Sequence, residues 1–492
     1  MTSLLDPCAV LTTRGDPATA DVSAVEYDSR RVTEGALFFC LPGSVSDGHD
    51  HAEEALRRGA AGLVCERPLD LGTGADVPIV QIPPGTARQA MARAAAALQG
   101  YPARDLLMVG VTGTNGKTTV THLLGEILGR VGHAATVIGT LGGVRTTPEA
   151  PELQALLAEA RDGASAAGRP GAVAMEVSSH ALAQSRVDGI IFDVAVFTNL
   201  SHDHLDFHGT MEAYGQAKAS LFTPERARRA VVWTDDPWGD RIRRSARIPV
   251  VAVGREAAGQ VTVAPGRTTF VWRAQHVALS LSGEVNVINA LIAAETAVTL
   301  GVDPAAVSEA LTQAPPVPGR MEVVAGPAVG GSDFLVLVDY AHTPESLRLA
   351  LADARRMADP GGRVLVAFGC GGARDREKRP LMGATASEGA DVVVVTSDNP
   401  RNEAPEDIVA DVLSGVGPAV SEGRVSAVVE RRSAIEAVLS DARPGDVVLV
   451  SGKGHETYQD LGAEVVAFDD REVVRDLLAL ARDGGSQSPG GR

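Results

Sequence analysis

Aromatic side chains are scarce, 4% of the 492 residues, which argues against the stacking platforms on which single-stranded nucleic acids lie. Positive charge is also in deficit: 45 Lys and Arg stand against 62 Asp and Glu, a net charge of −17. A general phosphate-backbone binder needs the opposite balance, so any phosphate chemistry must rest on local basic groups. Only four cysteines occur, Cys8, Cys40, Cys65 and Cys370. They lie far apart with no CxxC and no metal-ligand spacing, and read as buried, reduced thiols. No stretch approaches the ~18 apolar residues that cross a bilayer, and residues 1–10 lack the basic and apolar regions of a secretory signal. A cytoplasmic protein is expected, with no nucleic-acid partner and no membrane span.

Hydrophobic residues make up 45% of the chain, enough to bury sizeable cores, and domains of roughly 100–200 residues predict about three of them. Three blocks are legible. Residues 1–102 alternate short apolar runs (ALFFCLPG, AAGLVCE, VPIVQIP) with Ala-rich helical stretches. Residues 103–318 open on LLMVGVTG, followed by the helical THLLGEILGRVG and the runs AVAMEVSS, IFDVAVFTNL, AVVWTD and VVAVG. After a Pro-rich hinge, residues 319–482 repeat the pattern with FLVLVDYA, RVLVAFGCGG, DVVVVTSDNP and DVVLVSGKG. Near-continuous apolar strands alternating with helices predict an α/β fold with parallel sheets covered on both faces, and ligands beyond the C-terminal strand ends. Residues 483–492, rich in Gly and Ser, are expected to be a disordered tail.

One loop carries explicit chemistry. Thr112, Gly113, Thr114, Asn115, Gly116, Lys117, Thr118 and Thr119 follow a predicted strand and open a predicted helix. Glycines let backbone amides approach phosphate oxygens, and the helix N-terminus favours negative charge. Lys117 can reach the β- and γ-phosphates, and Thr118 can offer its hydroxyl to Mg²⁺. The strict pattern fails only at its first glycine, where Val111 stands.

The variant GTNGKT at 113–118 resembles the Mur ligase superfamily, which also contains folylpolyglutamate synthetases. Further motifs match in order: MEVSSHAL (175–182), TNLSHDHLDFHGTMEAYGQAK (198–218), EVNVINALIAA (284–294), PGRME (318–322), VDYAHTPES (338–346), GCGGARDREKRPLM (369–382), DNPR (398–401) and SGKGHETY (451–458). The resemblance implies three α/β domains: a mixed N-terminal domain that binds a UDP-sugar, a central P-loop-type ATPase domain, and a Rossmann-like C-terminal domain that binds an amino acid.

It also implies site residues. Glu176, His204 and Lys218 resemble the family's second metal site. There the lysine is carbamylated, because an amine that stays protonated at neutral pH (pKa ~10.4) cannot ligate Mg²⁺ and a carbamate oxygen can. Taken alone, these three are an ordinary strand-end carboxylate, core histidine and helix lysine. Lys117, His204 and Lys218 are the catalytic set, and Asn289, Arg320 and Asp339 join the loop around ATP, with His342 near the nucleotide. Ser29, with Asp47 and His49, resembles the uridine-diphosphate contacts, and Thr146, Thr147, Ser178 and Arg186 match positions that hold the sugar, peptide and diphosphate. Between Leu141 and Thr146 this chain has only GGVR, where relatives carry a longer hairpin.

Arg374, Asp398, Asn399, Pro400, Arg401, Gly452 and Glu456 form the implied amino-acid pocket. Arg at the fourth position of DNPR marks members that add meso-diaminopimelate, since its fork can bind a distal carboxylate that lysine lacks. The expectation is a monomeric, Mg²⁺- and ATP-using ligase adding meso-2,6-diaminopimelate to UDP-N-acetylmuramoyl-L-alanyl-D-glutamate through an acyl phosphate. The alternatives are the same ligase using lysine or the LL-isomer, and a folylpolyglutamate synthetase.

Overall fold

The structure, a computed structural model, describes residues 1–5, 9–43, 46–71, 77–143, 145–419 and 422–485. Each of the three blocks read from the sequence builds its own main sheet. In the first, the short runs ALFF, GLVC and IVQ pair in parallel, with Ala24–Glu26 at one edge and Thr12–Arg14 antiparallel at the other. The Ala-rich helix Ala87–Leu98 covers this sheet with seven buried residues, small side chains that let it sit close.

The second block forms a six-stranded, wholly parallel sheet in the order Val250–Val253, Ala227–Trp233, Phe192–Phe197, Leu106–Thr112, Gly171–Glu176, Ala134–Ile138. Its centre is apolar on both faces because helices Lys117–Arg130 and Glu284–Thr299 cover one side and Ala150–Ala166 the other. A three-stranded antiparallel sheet over 258–279 packs beneath the second of these helices, and the runs noted in the sequence did not announce it. The third block is again six-stranded. Leu335–Asp339, Val447–Ser451, Val364–Cys370, Val392–Ser397 and Val425–Ala427 lie parallel, with Glu322–Ala325 antiparallel at the edge.

The last helix, Asp470–Gly485, runs into the segment expected to be a tail, and residues 486–492 lie outside the described residues. Cys40, Cys65 and Cys370 are buried free thiols; Cys8 lies outside the described residues. No helix among the described residues is long and apolar enough to cross a membrane.

Candidate active site

The motif residues of the second and third blocks stand at C-terminal strand ends, where a parallel sheet leaves room for ligands. Thr112 ends one strand and Glu176 its neighbour, and the segment 198–204 follows a third. In the third body Asp339, Cys370, Ser397 and Ser451 end the four strands whose loops carry the motifs. The two sets face each other across one cleft of about 1020 Å³.

Val111, at the position where the strict phosphate-loop pattern has glycine, is a buried residue inside the strand, so the turn begins two residues later, at Gly113. Gly116 needs to be glycine twice over. Its φ is +85°, and a Cβ there would stand 2.4 Å from Asn289 Oδ1, closer than any real contact. Lys117 opens the helix, and its Nζ folds back to donate to the Gly113 and Thr114 carbonyls at 3.0 and 2.8 Å. Desolvation lowers its pKa, opposed by the negative charges of Glu176 and Asp203. Thr118 donates to Glu176 Oε1 at 3.0 Å and accepts from Arg320 Nη2 at 3.2 Å, so the third body's Arg320 reaches the phosphate loop itself. Arg320 also lies over the Tyr340 ring, 4.4 Å from its centroid. Asp339 accepts from the Met321 and Ala341 amides at 2.7 and 2.8 Å, while burial raises its pKa.

Glu176 is buried and is also held by the Thr140 amide at 2.8 Å. His204 sits at φ +56°, one of the few non-glycine left-handed residues, and faces the rings of His180 and Tyr214. Burial pushes its pKa down to about 3, against the pull of Asp203, so the imidazole is neutral and a lone pair is free for a metal. Lys218 lies behind the loop. Its buried ammonium donates to the Gly113 carbonyl at 2.8 Å, and desolvation holds its pKa well below that of an ordinary lysine, with Lys117 pushing the same way. Among the described residues no three His, Cys, Asp or Glu side chains lie together as a metal cluster. The predicted set contains only two such side chains, so a complete site depends on Thr118 and on an oxygen added to Lys218.

A second corner gathers Thr146, Thr147, Ser178 and Arg186. Thr147 Oγ1 donates to the Glu176 carbonyl at 2.9 Å and accepts from the Ser178 amide at 3.0 Å; Arg186 donates to the Thr147 carbonyl at 3.0 Å. Beside them stands Glu149, 5% exposed, which the sequence reading missed. Arg145, Arg186 and Arg88 converge on it at 2.9, 2.8 and 3.2 Å, the last reaching over from the first body. Ser29 is not brought to this cleft. It is buried in the first body and donates to Glu54 Oε2 at 2.7 Å, with the Asp47–His49 pair, 2.6 Å apart, in the same body.

Arg374, Asp398, Asn399, Arg401, Gly452 and Glu456 all line the cleft; Pro400 does not, because its carbonyl turns toward Gly372. A Cβ on Gly372 would stand 1.9 Å from that carbonyl oxygen, so the GG pair lets the two motif loops touch. Arg374 is exposed and makes no hydrogen bond or ion pair among the described residues. Arg401, at φ +52°, donates through Nη1 to the Gly372 carbonyl at 2.7 Å. Two further pairs cross between the bodies: Lys378 Nζ with Asp203 Oδ1 at 3.3 Å, both nearly buried, and His202 with Asp375 at 3.1 Å.

Comparison with known proteins finds relatives over most of the chain. Three family profiles match in succession: "Mur ligase family, catalytic domain" over residues 21–101, "Mur ligase middle domain" over 111–297 and "Mur ligase, glutamate ligase domain" over 319–454. The UDP-N-acetylmuramoyl-L-alanyl-D-glutamate–2,6-diaminopimelate ligase of Geobacillus thermodenitrificans is 43% identical over 482 residues, covering 92% of this chain and 94% of its own. The chain belongs to the Mur ligase family. A solved structure of a UDP-N-acetylmuramoyl-L-alanyl-D-glutamate–2,6-diaminopimelate ligase is 31% identical, with a TM-score of 0.61 over 94% of this chain and 95% of that one. A MurF ligase from Thermotoga maritima in complex with ADP shares the fold at 21% identity, with a TM-score of 0.63 over 95% and 99%.

Proposed function

We propose that the chain is an ATP-dependent ligase that adds meso-2,6-diaminopimelate to UDP-N-acetylmuramoyl-L-alanyl-D-glutamate; the relatives are named as ligases joining that UDP-dipeptide to 2,6-diaminopimelate. The observation that carries the reading is the single cleft. The phosphate loop, the Thr147–Arg186 corner and the Arg374–Arg401–Glu456 pocket open onto the same space. A reaction joining three substrates needs that convergence.

The domain division is 1–102, 103–318 and 319–482, each carrying one substrate. Lys117 and the loop amides bind the polyphosphate, and Arg320 clamps it from the third body. Thr147, Ser178 and Arg186 hold the peptide end, so that the D-glutamate side-chain carboxylate takes the γ-phosphoryl group and ADP leaves. The resulting acyl phosphate is attacked by the amine of the diamino acid, phosphate departs, and the amide forms. Ser29 in the first body suits the uridine end of so long a substrate. Arg401 grips the distal carboxylate, with Arg374 free to assist.

Mg²⁺ fits the residues present. Thr118 and Glu176 are hard oxygen donors 3.0 Å apart, and neutral His204 can add a nitrogen. Lys218 would add an oxygen if carbamylated, a modification that requires the neutral amine its burial favours. Bound Mg²⁺ neutralises phosphate charge. We place this reaction in the cytoplasm and assign it to the monomer.

The test is phosphate release by the purified chain with ATP and the UDP-dipeptide, driven in turn by meso-diaminopimelate, the LL-isomer and lysine. The meso-isomer should give by far the largest kcat/KM, with an adduct of the corresponding mass. Lysine matching it would overturn the assignment.

A further inference from the structure

A fully buried cation beside the amino-acid pocket is not among the residues the sequence singled out. Lys453, 0% exposed, sits in the GKGHE turn directly after Gly452. An ammonium stripped of water must be repaid by partners, and its partners are two residues of the pocket itself. It donates to Asn399 Oδ1 at 3.0 Å and to Glu456 Oε2 at 3.1 Å. The triangle closes, because Asn399 Nδ2 donates to the same Glu456 Oε2 at 2.8 Å. The Asp460 amide adds a second donor to Asn399 Oδ1 at 2.9 Å.

This network redistributes the roles in the pocket. The Asn399 amide oxygen is used twice inside the protein and its nitrogen once, so the residue acts as a bracket and has one N–H left to offer. Glu456 is pinned through Oε2 by two donors. Its Oε1 has no hydrogen-bond partner among the described residues, and the side chain lines the cleft. A carboxylate with one oxygen fixed and the other open is an oriented acceptor for an ammonium group. Without Lys453 the same carboxylate would lose its charge partner and be left with the Asn399 donor alone on Oε2.

We propose that Lys453 is a positioning residue for the incoming amino acid. By holding Asn399 and Glu456 Oε2, it aims Glu456 Oε1 at the ammonium of the substrate's distal centre. This rests on the ligase reading above. It separates two recognition elements: Arg401 for the distal carboxylate, which only diaminopimelate carries, and the Lys453–Glu456 pair for the distal ammonium, which lysine carries too.

That separation supplies the test. Steady-state kinetics of the full chain would be measured with meso-diaminopimelate and with lysine, for wild type, Lys453→Met, Glu456→Gln and the double variant. Lys453→Met should raise the KM of both amino acids by about 10- to 100-fold, the range set by one charge-assisted hydrogen bond. The ratio of kcat/KM between the two should stay within about threefold of wild type, as should the KM for ATP, both limits being about 0.6 kcal/mol. The double variant should be no worse than the poorer single one beyond that same factor, because both changes act through one carboxylate.

Additive losses, or a KM for ATP that rises in step, would show that Lys453 merely supports the third body and would overturn the proposal. Lys453→Gln, which keeps a donor, should recover part of the loss. If Lys453→Met does not fold, Lys453→Gln carries the same comparison, and failure of both to fold would also overturn it. A wild type that prefers another amino acid would refute the diaminopimelate reading alone, and the Lys453 comparison would then run on that amino acid.

Discussion

Arg401 offers the sharpest discrimination between reading a substrate and shaping a loop, because the structure gives it both opportunities. Its Nη1 donates to the Gly372 carbonyl at 2.7 Å, and its Nε lies 3.8 Å from Asp460 Oδ2. Removing the guanidinium therefore costs the fold one charge-assisted hydrogen bond at a quarter-exposed site, about 1–2 kcal/mol. If the same group also pairs with a desolvated substrate carboxylate, its loss costs roughly 3–5 kcal/mol there, or about two to four orders of magnitude in kcat/KM. The backbone supplies a control. Arg401 sits at φ +52°, where any L side chain carries roughly 1–2 kcal/mol of strain and glycine carries none. Arg401→Gly should thus be at least as stable as Arg401→Ala in urea denaturation. Both should lose diaminopimelate activity equally, while ATP and UDP-dipeptide KM values hardly change and lysine turnover loses much less. Arg401→Lys should rescue poorly, since an ammonium has no fork. If Arg401→Gly were to retain activity that Arg401→Ala loses, the residue would be shaping the loop. Equal proportional losses for lysine and diaminopimelate would refute the carboxylate contact.

Three further outcomes are expected. Lys378→Met leaves Asp203 without its cross-body partner; burial opposes the Asp203 charge, and Lys378 is the first of the cations that outweigh it and hold its carboxyl well below the usual range. Turnover should fall by about two orders of magnitude or more; unchanged turnover would refute the need for this ion pair between the second and third blocks. Lys218→Ala should be nearly inactive and partly restored by acetate or formate, which can supply the oxygen a carbamate would; an unmodified Lys218 mass in crystals grown with bicarbonate and nucleotide would refute it. His208 and His455 are pushed down to about 4 by burial, aided at His208 by His180 and at His455 by Arg320. The unfolded chain takes up protons there from about pH 6.5 downward while the folded one does not. Stability should be complete above pH 6.5 and decline as the pH falls toward 4; a urea midpoint equal at pH 7.5 and pH 5 would contradict this.

Local chemistry was legible in the sequence wherever it was written in consecutive residues. The apolar runs became the strands, and the loop at 112–119 took the strand–turn–helix form its glycines require. The DNPR and GKGHE segments came to the ends of nearby strands of one sheet because parallel pairing of near-continuous Val runs allows little else. The three-stranded sheet at 258–279 escaped, since its strands interleave polar and apolar residues and lack the continuous apolar runs by which the others were read.

What stayed hidden was pairing at a distance. Lys453, Arg431 and Lys378 were given no role in the sequence, yet each is buried against a partner that no periodicity points to. Arg431 is the extreme case. It is completely enclosed, bonded to Asp470 at 2.7 Å, and donates to the carbonyls of Ser397 and Ser451 at 3.2 and 3.0 Å. Those two serines end the strands that launch DNPR and GKGHE, so one ion pair ties together the bases of both motif loops. Lys453 then ties their tips, through Asn399 and Glu456. A motif names the atoms that meet a substrate. The distances between motifs are set by buried charges of this kind, which cost too much to keep unpaired and so fix the loops that pair them.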